Sequence, residues 1–387
     1  MQEKLSPREI LAKLVAFPTV SRDTNRPLNA WVAEYLGGFG IECVEVPEET
    51  GLKASLYAQA GPGVEGGIVL SGHTDVVPVD GQDWSTDPFA LTERGGRLYG
   101  RGACDMKGFD ALAIWAMAEA AGRDLSRPLQ LALTRDEEIG CLAAPGLIEA
   151  MAGLPRASVC IVGEPSMMKV VTGHKGGTGF NVTVTGHPVH SSRLPLEGVS
   201  AIHEAVRLIH WSLEWNARSV AAGPNPLAIE FEPNVTHLHT GKIEGGTAHN
   251  ISAQTCRFGI GSREVPGPDE RSWEDAFREE CAGVQAEMQE RHPDCRIELE
   301  RFFTVPPLAP EEDGEAERLA RRITGDNGRT VVAYGAEAGQ FQQAGYSVVI
   351  CGPGDIAQAH QPDEFVSIEQ MEEGTRFMRR LIEELES

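Results

Sequence analysis

The residues able to do chemistry gather where the apolar runs of this sequence end. The run at 66–70 gives way to His73 and Asp75, and the glycine-flanked Gly100-Arg101-Gly102 leads to Asp105. The run at 129–133 leads into Glu137-Glu138, that at 159–162 into Glu164, and that at 347–351 is followed by His360. A lone His-x-Asp is ordinarily a polar loop with a satisfied histidine. Repetition of the pattern changes the reading, because imidazole and carboxylate at the ends of buried strands are unfavourable unless paired or metal-bound. Imidazole nitrogen and carboxylate oxygen suit hard or borderline divalent metals. A mixed set with open positions is what a catalytic zinc site needs, in contrast to a closed structural one. A carboxylate bridging two metals would hold them about 3.5–4 Å apart around a shared water. The adjacent Glu137 and Glu138 diverge as they leave a strand, so one can bind metal while the other addresses the water.

Short continuous apolar strands separated by helices indicate a mostly parallel sheet with helices on both faces. Ligands in such sheets bind beyond the carboxyl ends of the strands, where these residues fall. Helices are expected after Ser6-Pro7-Arg8-Glu9, a capping box with proline at its first position, and across 28–36, 106–121 and 367–386. The helix at 106–121 is apolar nearly all round and therefore buried. The middle of the chain differs. Phe180, Val182 and Val184 alternate with polar residues, as do Cys256, Phe258 and Ile260. Ile202, Val206, Ile209 and Leu213 mark the expected buried face of a helix between them. Half-exposed strands with amphipathic helices predict an inserted α+β domain over 176–298, interrupting an α/β domain of 1–175 and 299–387.

In a chain of 387 residues, a net charge of −23 argues against nucleic acid and anionic membrane as partners. No apolar run reaches the length of a membrane-spanning helix and the N-terminus lacks a signal pattern, so a cytoplasmic location is expected. The eight cysteines are scattered without a CxxC pair, which argues against cysteine-ligated zinc and against a disulfide framework.

GHTDVVP, GRGACDMKG, TRDEEIG, VGEP and AHQPDEF, in this order, resemble the M20 family of dinuclear zinc amidohydrolases over nearly the whole chain. The resemblance implies a zinc-peptidase-like catalytic domain and an inserted lid that also makes a homodimer. It implies two zinc ions per subunit, with cobalt as a substitute. His73 and Glu164 would bind one, Glu138 and His360 the other, and Asp105 would bridge them. Asp75 would orient His73, Glu137 would be the general base, and the Asp105-Met106 bond would be cis. In the insert, His190 of GHPVHSS would reach a partner subunit's site and stabilise the oxyanion. Asn250 and Arg263 would hold the substrate's α-carboxylate, although Gly261 stands where the family usually has aspartate. The implied activity is amide hydrolysis of an N-acyl amino acid, with N-acetyl-L-ornithine as the expected substrate and arginine biosynthesis as the setting. The alternatives are succinyl-diaminopimelate, N-acetylcitrulline, another N-acylamino acid or a dipeptide as substrate, and a catalytically inactive binding relative.

Overall fold

The computed structural model describes residues 3–267 and 272–386. The chain divides into two units. The first runs to His174 and resumes with Pro310–Val332 and from Ala336 onward; the second comprises Lys175–Ala309 and Ala333–Gly335. No helix of the described residues is long and apolar enough to cross a membrane.

The first unit is built on an eight-stranded sheet. Its order is Cys43–Pro47, Ala54–Ala60, Leu129–Thr134, Ile68–His73, Val159–Pro165, Ser347–Gly352, Val171–His174 and Thr330–Val332. The third to sixth of these run parallel, and the first two run antiparallel at one edge. Ile68–His73, Leu129–Thr134 and Val159–Pro165 are buried along their entire length, which is why each reads as an unbroken apolar run rather than an alternating one. Helix Lys107–Ala120 packs on them and is buried at every residue but Glu119. Helices Pro7–Val15 and Ile368–Glu386 pack against it in turn. The first of these begins with the expected capping box: Ser6 Oγ accepts the Glu9 amide at 3.3 Å and the Ser6 amide donates to the Glu9 carboxylate at 2.8 Å.

The parallel register sets the strand ends level with one another. His73 stands beside Thr134, Ser71 beside Val162 and Gly352 beside Pro165. The approach to Asp105 is fixed by a different device. A small antiparallel sheet pairs Arg97–Tyr99 with Phe365–Ser367, which brings Gly100 and Arg101 against Glu364. Arg101 and Glu364 form a fully buried ion pair at 2.5 Å. The other Glu364 oxygen accepts the amides of Cys104 and Asp105 at 2.9 and 3.0 Å. The Asp105-Met106 peptide bond is cis.

The second unit is a four-stranded antiparallel sheet in the order His237–Gly245, Thr255–Arg263, Gly177–Thr185 and Arg296–Val305. Helices Ala201–Ala222 and Ser272–Arg291 cover one face, and the core joins Phe180, Val182, Cys256 and Phe258 to Leu208, Trp273 and Phe277. Two expectations need correction here. The boundary at 298 is too early, because Arg296–Val305 pairs along Gly177–Thr185 and so belongs to this unit up to Ala309. The expected buried face of the first helix holds only in part: Ile202 and Ile209 pack half-buried against the core. Its fully buried residues are Ala201, Glu204, Ala205, Leu208 and Ser212. Val206 and Leu213 are instead 52% and 59% exposed.

Two substitutions test these supports. A β-carbon at Gly163 would lie 1.9 Å from Phe109 Cγ, so Gly163→Ala is expected to destabilise the protein by about 1–3 kcal/mol in denaturant unfolding. Arg101→Met strands a buried carboxylate and is expected to lose about 3–5 kcal/mol. As a control, Arg22→Met removes an exposed bridge to Asp80 and is expected to leave the unfolding midpoint essentially unchanged in the same measurement.

Candidate metal centre

His73 ends its strand in a buried position and meets acids from several segments. Its Nδ1 lies 2.9 Å from the backbone carbonyl of Asp75. A carbonyl only accepts, so Nδ1 carries the proton and Nε2 is turned toward the acids. From Nε2, Asp105 Oδ1 is 3.1 Å away, Glu164 Oε1 3.8 Å and Glu137 Oε2 3.9 Å. On the far side, His360 Nε2 lies 2.9 Å from Glu138 Oε2 and 3.3 Å from Asp105 Oδ2. Asp105 therefore turns one oxygen to each imidazole. Ligand atoms of His73, Glu137 and Glu164 lie within 4.8 Å of one another, as do those of His73, Asp105 and Glu138.

Asp75 adjoins the His73 ring by both its main chain and its carboxylate. Its carboxylate stands 3.7 Å from the His73 ring, and the ring bonds instead to the Asp75 carbonyl. The carboxylate accepts the backbone amides of Glu137 at 3.1 Å and Glu138 at 3.4 Å, and the Ser21 hydroxyl at 2.7 Å. Asp75 thus holds the double acid in place by its main chain.

The electrostatics call for positive charge. Burial alone would lower the His73 pKa, but the hydrogen bond to Asp105 and the charges of Glu137 and Glu164 push it well above its ordinary value. Hydrogen bonds to Asp105 and Glu138 carry His360 up to about 10. Burial would raise Asp105, yet its bonds to His360 and His73 hold it well below the usual carboxylate range. Glu137 is pushed up to about 8 by burial, against the pull of His73. Burial and the charge of Asp105 drive Glu164 well above the carboxylate range. Glu138 Oε1 is buried and accepts no hydrogen bond. An orphaned buried oxygen, two imidazoles and converging carboxylates fit a metal cofactor held by nitrogen and oxygen donors.

In the second unit, His190 and Asn250 lie on touching loops, with the Ser191 amide donating to the Asn250 carbonyl at 2.9 Å. His190 is exposed, and its Nδ1 accepts the Ser192 amide at 3.3 Å, which leaves Nε2 as the protonated nitrogen. Arg263 is exposed as well, but it closes strand Thr255–Arg263 at the end away from Asn250, roughly 27 Å along an extended chain.

Sequence reasoning gave no role to Ser21, Arg101, Glu364 or Cys141. Glu364 had one signal, its place in AHQPDEF; Arg101 stood within GRG. Ser21 and Cys141 had none. Glu337, a residue with a buried Oε1 that accepts no hydrogen bond, has its pKa raised well above the ordinary value by burial and by the nearby Glu137.

The profile of peptidase family M20/M25/M40 matches residues 69–384. Acetylornithine deacetylase of Myxococcus xanthus is 36% identical, with 94% of this chain and 93% of that protein covered. Acetylornithine deacetylase of Proteus mirabilis is 34% identical, with 97% and 95% covered. An M20 family metallo-carboxypeptidase of Sulfolobus solfataricus shares the fold with a TM-score of 0.74 over 98% of both chains, at 16% identity. The metal-ready cluster at the strand ends and these likenesses agree: the chain belongs to peptidase family M20/M25/M40 and is a hydrolase of amide bonds.

Proposed function

We propose that this chain hydrolyses the amide bond of N-acyl amino acids, cleaving N-acetyl-L-ornithine to L-ornithine and acetate in cytoplasmic arginine biosynthesis. The observation that carries the reading is Asp105, whose oxygens face His73 and His360 separately. Its surroundings fit two zinc ions: His73 and Glu164 would hold one, Glu138 and His360 the other, and Asp105 would serve both. When bound, the pair supplies Lewis acidity toward the acyl oxygen and toward water.

Glu137 is the general base in this reading. Its Oε2 faces the centre from the His73 side, and it takes a proton from the attacking water. It then returns that proton to the departing amine. Asp75 keeps Glu137 and Glu138 at their stations through the backbone. His190 stabilises the oxyanion in a partner copy's site, a role supported by its exposed Nε2–H. Asn250 and Arg263 hold the α-carboxylate, the arginine through its planar fork. Their placement toward opposite ends of strand Thr255–Arg263 supports a division of these contacts between two copies. The exposed apolar stripe Val206, Leu213 and Val220 supports a homodimer formed through the second unit.

The names and identities of the two deacetylases support the acyl and amine groups. A methylene or two in a pocket changes affinity by only about 1–3 kcal/mol, so turnover has to decide the substrate. Amine release by zinc-loaded protein from acetylornithine, acetylcitrulline, succinyl-diaminopimelate, acetylmethionine and dipeptides is the direct test. Preference for acetylornithine is the expected result. Preference for another member keeps the chemistry and discards the substrate, and silence across the panel with zinc bound overturns the activity. Glu137→Ala is expected to retain its zinc while kcat falls by roughly 10²–10⁴. Near-normal turnover in that variant would remove Glu137 from the base role.

A further inference from the structure

The double acid is followed by a sharp turn whose last residue is Cys141. The amides of Gly140 and Cys141 both donate to the Glu137 carbonyl, at 2.9 and 2.8 Å, and the Leu142 amide donates to the Asp136 carbonyl at 3.2 Å. The Cys141 carbonyl accepts from Gln340 Nε2 at 2.9 Å, which ties the turn to a second element. Closing this turn places Cys141 at a φ of +53°, in the left-handed region that disfavours a β-carbon. Glycine is the usual residue there. A side chain is present all the same, and it is folded back over the residue that begins the turn.

Cys141 Sγ lies 3.2 Å from Glu137 Oε1. In the ionised form that a base requires, the carboxylate only accepts, so the thiol is the donor. The other oxygen, Oε2, is the one that faces His73 at 3.9 Å. Cys141 is 3% exposed, so water does not compete for this bond. A thiol serving only as a small hydrophobe would have no need of a carboxylate partner or of a strained backbone.

We propose that Cys141 is a positioning residue for Glu137, its S–H holding Oε1 so that Oε2 is presented to the reacting water. The inference rests on the reading of Glu137 as the general base. Removing the donor frees the carboxylate to rotate about its last side-chain torsion, and the loss falls on the chemical step rather than on substrate or metal binding.

The test compares Cys141→Ser, Cys141→Ala, Cys141→Gly and Glu137→Ala in zinc-loaded protein. It reads kcat, KM, bound zinc and melting temperature for each. Cys141→Ala is expected to lower kcat about 10- to 100-fold, the scale of a misplaced catalytic group, with KM and zinc unchanged. Cys141→Ser keeps a donor and is expected to retain most of the turnover. Cys141→Gly relieves the backbone, so it folds at least as well while losing kcat like the alanine variant; it serves as the donor-free comparison if Cys141→Ala folds poorly. Wild-type kcat in the donor-free variants, alongside a dead Glu137→Ala, overturns the positioning role and leaves the base intact. A serine variant as slow as alanine, or losses that track zinc or melting temperature, also overturns it in favour of packing. Near-normal turnover in Glu137→Ala overturns the base reading and this inference with it.

Discussion

Asp105 is buried between two imidazoles, and the balance of charge around it is the condition on which the neighbouring structure depends. Carboxylates gathered out of water repel one another unless each is answered by a donor or a cation. The chain answers them in two ways. Asp75 and Glu364 are satisfied within the protein, by the amides of Glu137 and Glu138 in one case and by Arg101 and the amides of Cys104 and Asp105 in the other. Asp105, Glu138 and Glu164 are left with imidazoles, with each other, and in one case with an oxygen that nothing meets. An outer ring of acids thus takes up backbone donors, and an inner ring faces imidazoles and other acids. The outer acids hold the main chain, and the main chain holds the inner ones.

The inner ring was legible in the sequence because the parallel sheet makes it so. A strand covered on both faces reads as an uninterrupted apolar run, and a polar residue at its end is conspicuous. His73, Glu137, Glu138, Glu164 and His360 all announce themselves in this way. The outer ring was not legible. Glu364 acts on Asp105 because a three-residue strand pairing brings the two together, and a pairing that short leaves little trace in the pattern of residues. Asp75 was seen, yet the direction its carboxylate takes depends on how the turn after Thr134 closes. In the second unit the difficulty was different. Helix Ala201–Ala222 carries two stripes at helical spacing, one of large aliphatic residues and one of small ones. Hydrophobicity favours the first, yet only its Ile202 and Ile209 reach the core, beside the buried second stripe, and composition does not foretell that division.

Backbone conformation is the other hidden layer. Asp136, Cys141 and His360 all have positive φ, and all border the cluster without being glycine. Each is unfavourable on its own and persists because surrounding hydrogen bonds over-determine it. Residues held in this way keep their side chains at fixed positions, which suits a site whose charges must stay in register.

The order of the central strands has a consequence for synthesis. Ser347–Gly352 fits between Val159–Pro165 and Val171–His174, although the whole second unit separates it from them along the chain. A polypeptide emerging from the ribosome therefore carries Val159–Pro165 with one edge unpaired until its final segment appears. That strand is buried along its length in the finished protein, so while it waits it is an adhesive edge of the kind that recruits other chains. His360 arrives in the same closing stretch. Sealing the sheet and completing the pair of imidazoles are consequently one late event, and a prematurely ended chain would have neither a closed core nor its second imidazole.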